Sequence, residues 1–79
     1  MRFERLLQKM DETLTIIRNT VDAGGGSVSW EAIVNAVSFQ NRRYIMPAIK
    51  QLEAAGTYKR EVRATETGAT FAVVKVQAV

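Results

Sequence analysis

The segment from Trp30 to Arg60 constrains the fold of this 79-residue chain more than any other part of its sequence. Its first apolar residues recur with the i, i+3, i+4, i+7 spacing of a short amphipathic helix. They are Trp30, Ile33, Val34 and Val37. After a polar turn the same spacing returns in a second stripe, made of Ile45, Ala48, Ile49 and Leu52. Gly56 follows, a residue suited to ending a helix, and an alternating basic segment begins directly after it. The pattern predicts two helices over about residues 29–55, followed by a strand.

A longer helix is predicted upstream, over about residues 2–22. Its apolar stripe consists of Phe3, Leu6, Leu7, Met10, Leu14, Ile17 and Val21. Ile16 lies off this stripe and is expected to be either an isolated exposed residue or part of a dimer contact. Gly24 is expected at the left-handed position that ends the helix. Residues 24–26 predict a glycine-rich hinge and not a phosphate-binding loop, because no Lys-Ser/Thr pair follows them.

The remainder of the chain predicts a β-hairpin over about residues 57–79. Polar and apolar side chains alternate from Tyr58 to Ala64, and Gly68 lies in the polar segment expected to form the turn. The residues after it are rich in β-branched types, and Val28 predicts one more short strand before the second helix. The expected fold is a single α+β domain over residues 1–79, with three helices, a short strand before the second helix and a C-terminal hairpin.

The absence of cysteine and histidine limits the chemistry available to this chain. It excludes disulfides, a Cys/His zinc site and a Ser–His or Cys–His nucleophile pair. The eight carboxylates are scattered, and only Asp11 and Glu12 are adjacent. We therefore expect no enzyme activity, no metal and no cofactor. The apolar stretches are too short for a membrane helix and no leader pattern is present, so the cytoplasm is the expected compartment.

Positive charge is concentrated in the second half of the sequence. Residues 1–39 carry four Lys or Arg against five Asp or Glu, a net charge of −1. Residues 40–79 carry seven against three, a net charge of +4. A polyanion is therefore expected to meet the second half first.

Two arginines mark the beginning of the helix predicted over residues 41–55. The N-terminal residues of a helix in the DNA major groove reach the base edges, and an arginine can pair there with guanine or grip a phosphate. Arg42 and Arg43 are the first candidates, with Gln40 and Asn41 beside them and Lys50 two turns further along. In the hairpin, a minor-groove or backbone contact is expected from four residues. These are Arg63, Thr65, Thr67 and Lys75.

Other polar and aromatic residues of this region have expected structural roles. Ser29 and Asn41 are each expected to cap the helix that follows them. Phe39 is expected to fill the gap between the two helices, and Trp30 to anchor the core in preference to stacking on a base. Pro47 either kinks the first turn of its helix or marks where that helix begins, in which case Arg42 and Arg43 are loop residues.

The order of elements over residues 28–79 resembles the winged helix-turn-helix regulators. Residues 45–56 read I-M-P-A-I-K-Q-L-E-A-A-G, which is most similar to the recognition helix of the PadR group and its Tyr-Pro-x-Leu-x-x-Leu-Glu pattern. Met46 replaces the tyrosine, the Arg/Lys-x-Tyr-x-Leu-Thr signature of the PadR wing is missing, and no C-terminal dimerisation helix is seen. The resemblance implies a DNA-binding protein with a recognition helix, a wing and Pro47 as a family feature.

Two functions are consistent with these observations. The first is a transcriptional regulator that binds double-stranded DNA, with the first helix as the expected surface of a homodimer. The second is a phage- or plasmid-type interaction module, similar to some anti-CRISPR inhibitors, whose basic face binds an acidic protein or a ribonucleoprotein. The first is the leading hypothesis, and the second stays open because Met46 and Pro47 are poor base readers and the net charge is only +3.

Overall fold

The computed structural model describes residues 2–76, with side chains from residue 4 onward. The chain forms α1 (Arg2–Ala23), β1 (Ser27–Ser29), α2 (Trp30–Ala36), a 3-10 helix η1 (Phe39–Tyr44), α3 (Ile45–Ala54), β2 (Tyr58–Thr65) and β3 (Gly68–Lys75). This order confirms the predicted α+β class, its short strand before the second α-helix and its C-terminal hairpin. The side chain of Phe3 and residues 77–79 of the expected hairpin lie outside the described part of the chain.

The three strands form one antiparallel sheet in the order β1-β3-β2. Ser27 pairs with Val74 at one edge, and β2 pairs with β3 without interruption from Tyr58–Lys75 to Thr65–Gly68. The helices supply most of the core, and Tyr58 and Val73 join it from the sheet. Its buried members are Ile17, Val21, Ile33, Val37, Ile45, Ala48, Ile49, Leu52, Tyr58 and Val73. Both predicted stripes of the central segment therefore face the core.

The connection from α1 to β1 is a closed helix cap, which corrects the expected hinge. Gly25 donates its N–H to the carbonyl of Asp22 and Gly26 donates to that of Val21, the two bonds of a Schellman motif. The residue in the left-handed region is Gly25, with φ of 76°, and not Gly24. Gly24 is required for space, because a Cβ there would lie 2.9 Å from the Ser27 carbonyl oxygen.

Local capping signals were predicted correctly for two other helix ends. The Ser29 hydroxyl accepts the N–H of Ala32 at 3.2 Å, which caps α2. Gly56 has φ of 78° and ends α3 with the same pair of bonds as α1, since its N–H reaches Glu53 and the N–H of Thr57 reaches Leu52.

The helix predicted over residues 41–55 begins only at Ile45. Pro47 is its third residue and exposed. A proline has no N–H to donate four residues back, and its ring clashes with the carbonyl at that position, so it belongs in a first turn. Pro47 therefore lies in the first turn of α3, two residues after its beginning, and Arg42 and Arg43 precede that helix. The residues before Ile45 form η1, a 3-10 helix, in which N–H groups such as that of Asn41 bond three residues back.

The N-terminal half of α1 extends beyond the core. Leu6 is 48% and Leu7 55% exposed, although both lie on the predicted apolar stripe. Further along, Thr13 is buried and its hydroxyl donates to the carbonyl of Lys9 at 2.8 Å. Ile16, expected on the surface, is half-buried and packs against the core. None of the helices described for residues 2–76 has the length and apolar character needed to cross a membrane.

Candidate nucleic-acid interface

Phe39 lies on the surface at the beginning of η1. Its side chain is 81% exposed, so the expectation that it fills the gap between the helices is wrong. Val37 and Ile45, on either side of η1, are buried instead. In a 3-10 helix residues three apart lie above one another, and the Arg42 guanidinium carbon accordingly stands 5.4 Å from the centre of the Phe39 ring. Arg42 and Phe39 thus form one exposed cation–aromatic unit.

Asn41 turns inward from the same short helix. It is only 5% exposed, and its Nδ2 donates to Oε2 of Glu12 at 3.3 Å. Its Oδ1 is buried without a hydrogen-bond partner among the described residues. The Asn41 side chain is therefore turned away from the surface, and it does not cap α3. The Ile45 N–H donates to the Arg42 carbonyl, so the backbone of η1 takes over that capping role.

Arg43 faces the N-terminal half of α1. Its guanidinium carbon lies 5.2 Å from the centre of the Tyr44 ring. Both residues line a shallow cleft whose other wall is α1, and we call this site the basic cleft. The residues of the basic cleft are Arg5, Leu6, Lys9, Arg43 and Tyr44. Three of its five side chains are cationic.

Arg5 and Lys9 are site residues that sequence reasoning missed. The net charge of −1 over residues 1–39 gives no indication that α1 contributes to a basic surface. The spacing of Arg5 and Lys9 was the one local signal, because residues four apart lie on the same side of a helix. That signal says nothing about which element faces them. Only the packing of α1 against η1 brings them to Arg43.

The other predicted helix residues are on the surface. Gln40 is exposed on η1, and Lys50 and Gln51 are exposed on α3 with Pro47. Met46, the second residue of α3, is half-buried and packs against the core. The exposed face of α3 thus offers one cation and few groups able to read a base edge.

The four predicted hairpin residues do not form one surface. Thr65 and Thr67 are at the turn, where the Thr65 hydroxyl donates to the Gly68 carbonyl at 3.0 Å. Lys75 lies at the opposite end of β3, about 24 Å away at the usual rise of a strand. Arg63 lies across the outer sheet face and donates to the Ser27 hydroxyl at 3.2 Å. These four residues therefore cannot all contact one ligand surface together, and each stays a separate prediction.

Every cation of the hairpin lies beside a carboxylate. Lys59 and Arg63 are each 3.8 Å from Glu61, and Lys75 is 3.5 Å from Asp22. Arg60 has the shortest pair, 3.0 Å to Glu53, and also lies over the Phe71 ring. Exposed pairs of this kind add little stability, but they offset positive charge locally.

The cations of the helices are placed differently. Within residues 4–76, six of them have no carboxylate at ion-pair distance: Arg5, Lys9, Arg18, Arg42, Arg43 and Lys50. Arg18 comes nine residues after Lys9 and so lies on the opposite side of α1. The other five belong to η1, α3 and the part of α1 that carries the basic cleft. The uncompensated positive charge is therefore on the helices and not on the hairpin.

Comparison of the chain with protein-family models, with curated proteins and with solved structures gave no significant match. Among the side chains described, no group of three or more His, Cys, Asp or Glu could hold a metal ion.

Proposed function

We propose that this chain is a small protein that binds double-stranded DNA and regulates transcription. The contact surface consists of η1, the exposed face of α3 and the N-terminal half of α1. The observation that carries the proposal is the set of five helix cations without a carboxylate partner in the described structure: Arg5, Lys9, Arg42, Arg43 and Lys50. Cations that are not already offset by carboxylates are the ones that replace the counterions of DNA phosphates.

The order of elements supports a winged-helix arrangement for this contact. Two helices joined by η1 precede a hairpin, and the sheet order β1-β3-β2 brings the short strand beside that hairpin. In such an arrangement α3 enters the major groove and the neighbouring elements hold the backbone. Because Lys50 is the only cation within α3, phosphate contacts from α1 and η1 supply most of the affinity.

Base reading is assigned to the exposed pair at the beginning of η1. The Arg42 guanidinium can bond O6 and N7 of guanine, while the Phe39 ring offers an apolar surface to a thymine methyl group. The two side chains lie side by side at 5.4 Å, so they can address adjacent bases. The hairpin cations, already paired with carboxylates, make a smaller electrostatic contribution.

Substitution of cations in the basic cleft tests whether this site binds DNA phosphates. We expect the wild-type protein to bind a mixed-sequence duplex, with an affinity that falls steeply as salt rises. The variant Lys9→Ala/Arg43→Ala should reduce the slope of log K against log salt by about 2, because each lost phosphate contact removes about 0.9. Fluorescence anisotropy over a salt series measures both quantities.

A control with the same change in charge is Arg18→Ala/Lys59→Ala, which replaces two exposed cations outside the basic cleft. Its salt slope should stay close to that of the wild type. Equal losses in the two double variants would mean that net charge alone governs binding. Absence of binding at about 50 mM salt would contradict the proposal.

A protein-binding function is the second candidate, and Phe39 is the observation that favours it. An aromatic ring that is 81% exposed with an arginine stacked on it has the composition of a protein-interface hot spot. This candidate requires an acidic partner, because Arg42 lies against the ring and η1 contains two arginines and no carboxylate. It is favoured if duplex DNA fails to bind at low salt.

A further inference from the structure

The outer edge of β2 is long and uncovered. β2 is at one edge of the sheet, so its second row of backbone N–H and C=O groups faces away from β3 and has no strand partner in the described structure. All residues from 59 to 65 are exposed, and Val62 is 80% exposed. The unbroken pairing with β3 leaves no bulge, and β2 contains no proline. These are the features that let an edge strand accept another strand.

The charges along this edge alternate in sign. Lys59, Glu61 and Arg63 share the outer face of the sheet, and Val62 lies between them on the other face. Within the strand, Glu61 is 3.8 Å from both Lys59 and Arg63. All three side chains are about half exposed, so the three charges stay accessible to a second strand although they are paired within β2.

We propose that the occupant of this edge is a second copy of the chain, paired antiparallel with β2 about a two-fold axis at Val62. In this register Glu61 of each copy faces Arg63 of the other, which gives two opposite-charge pairs. The two Val62 side chains face each other, and Lys59 faces Thr65. The two three-stranded sheets become one continuous sheet of six strands.

Neighbouring registers are disfavoured by the same charges. An axis at Glu61 sets two glutamates opposite each other and Lys59 opposite Arg63. An axis at Arg63 sets two arginines opposite each other. Like charges directly across an antiparallel pair are destabilising, whereas opposite charges stabilise. An axis at Arg60 keeps two Lys59–Glu61 pairs but sets two arginines opposite each other. The charges of β2 therefore favour the axis at Val62 over these three.

The edge of β2 is better suited to self-association than α1. The exposed Leu6 and Leu7 of α1 offer an apolar surface, but Arg5 and Lys9 lie beside Leu6 in the basic cleft. Two copies joined there bring like charges together. Because a strand edge is a small interface, we expect a dimer that forms reversibly and depends on concentration. This dimer is independent of DNA binding, since the edge shares no residue with the basic cleft.

Charge exchange tests the register. Sedimentation velocity of the full chain over a concentration series should show wild-type protein passing from monomer to dimer. Glu61→Arg and Arg63→Glu should each weaken the dimer on the order of tenfold or more, since each turns two favourable pairs into two unfavourable ones. The double variant Glu61→Arg/Arg63→Glu should restore wild-type association, because the pairs are exchanged and kept.

Further variants separate self-pairing from general effects. Val62→Lys should also give a monomer, and it leaves the ion pairs of β2 unchanged. Glu31→Arg and Arg18→Glu make the same charge changes at exposed helix positions and should leave the dimer intact. Circular dichroism verifies that each variant is folded. A wild-type protein that stays monomeric at millimolar concentration overturns the proposal. So does a dimer that tolerates both single exchanges, or a double exchange that fails to restore it.

Discussion

At the residue scale, the burial of Phe39 and Asn41 is the opposite of what their polarity predicts. Phe39 is 81% exposed, while Asn41 is 5% exposed and bonds Glu12. The reason is the 3-10 geometry of η1, where successive side chains are about 120° apart. Phe39 and Arg42 then share one side, and Asn41 turns to another, toward α1. Propensity favours an apolar interior but cannot specify which side of a short helix faces it.

Replacing Phe39 by alanine should separate folding from binding. Because the ring is almost fully exposed, we expect the free energy of unfolding to change by less than about 0.5 kcal/mol. We expect the affinity for duplex DNA to fall by more than about 1 kcal/mol, because Phe39 is a contact residue of the proposed interface. Urea unfolding and binding titrations measure the two effects. Val37→Ala is the reference, and its buried side chain should cost about 2 kcal/mol of stability. A similar loss for Phe39→Ala would contradict the surface role.

At the scale of single elements, the helix ends are capped by residues next to them in the sequence, except at the beginning of α3. α1 and α3 both end in Schellman motifs at a glycine in the left-handed region, and α2 begins at a serine cap. α3 has no side-chain cap, and its N-cap residue is Tyr44. η1 precedes it directly, so the carbonyl of Arg42 accepts the N–H of Ile45. Pro47 requires no partner in that first turn.

The two serines that precede helices should differ in their contribution to stability. Ser29 accepts the Ala32 N–H, whereas Ser38 precedes η1 without a side-chain cap bond. We expect Ser29→Ala to lower the free energy of unfolding by about 1 kcal/mol, because the first turn of α2 loses an acceptor. Ser38→Ala, the matched control, should change it by less than about 0.5 kcal/mol. Urea denaturation of both variants makes the comparison. Equal effects would show that the Ser29 bond does not stabilise α2.

At the scale of the whole molecule, two segments project from the core. The radius of gyration is 12.9 Å, against about 11.6 Å for a compact chain of this length. The N-terminal half of α1 extends at one place, where Leu6 and Leu7 are exposed. The outer half of the hairpin extends at another, with every residue from 59 to 69 exposed. The first carries the basic cleft and the second carries the edge proposed for self-pairing.

Hydrogen exchange should therefore be uneven along the chain. We expect amides of residues 61–69 to exchange through local opening with little protection, because no helix covers that part of the sheet. Amides of residues 17–21 and 48–52 should exchange only with global unfolding, since these helix turns carry five buried residues of the core, which are Ile17, Val21, Ala48, Ile49 and Leu52. Exchange measured by NMR at low protein concentration, where the dimer is dissociated, gives these values. Uniform protection along β2 and β3 would contradict the view that the outer hairpin is unsupported.

The sequence by itself determined the type and order of the α-helices and strands, but not the 3-10 helix η1. The apolar stripes of α2 and α3, the cap at Ser29 and the stop at Gly56 all depend on residues within a few positions of one another. Such local signals survive folding because hydrogen bonds and side-chain periodicity within a helix are themselves local. The hairpin was found for the same reason, since alternation around one glycine is enough to predict it.

Only the tertiary structure decided where the uncompensated charge lies. Lys75 is offset by Asp22 and Arg60 by Glu53, while Arg5 and Lys9 of α1 reach Arg43. Most of these contacts join residues far apart in the chain, and they follow from how α1 packs against η1 and the sheet. Electrostatic energy depends on distance in space and not on separation along the sequence. A count of charges along the sequence therefore pointed to residues 40–79 as a whole. Within residues 4–76, the folded molecule leaves its unpaired cations on the helices and adds Arg5 and Lys9 of α1 to them.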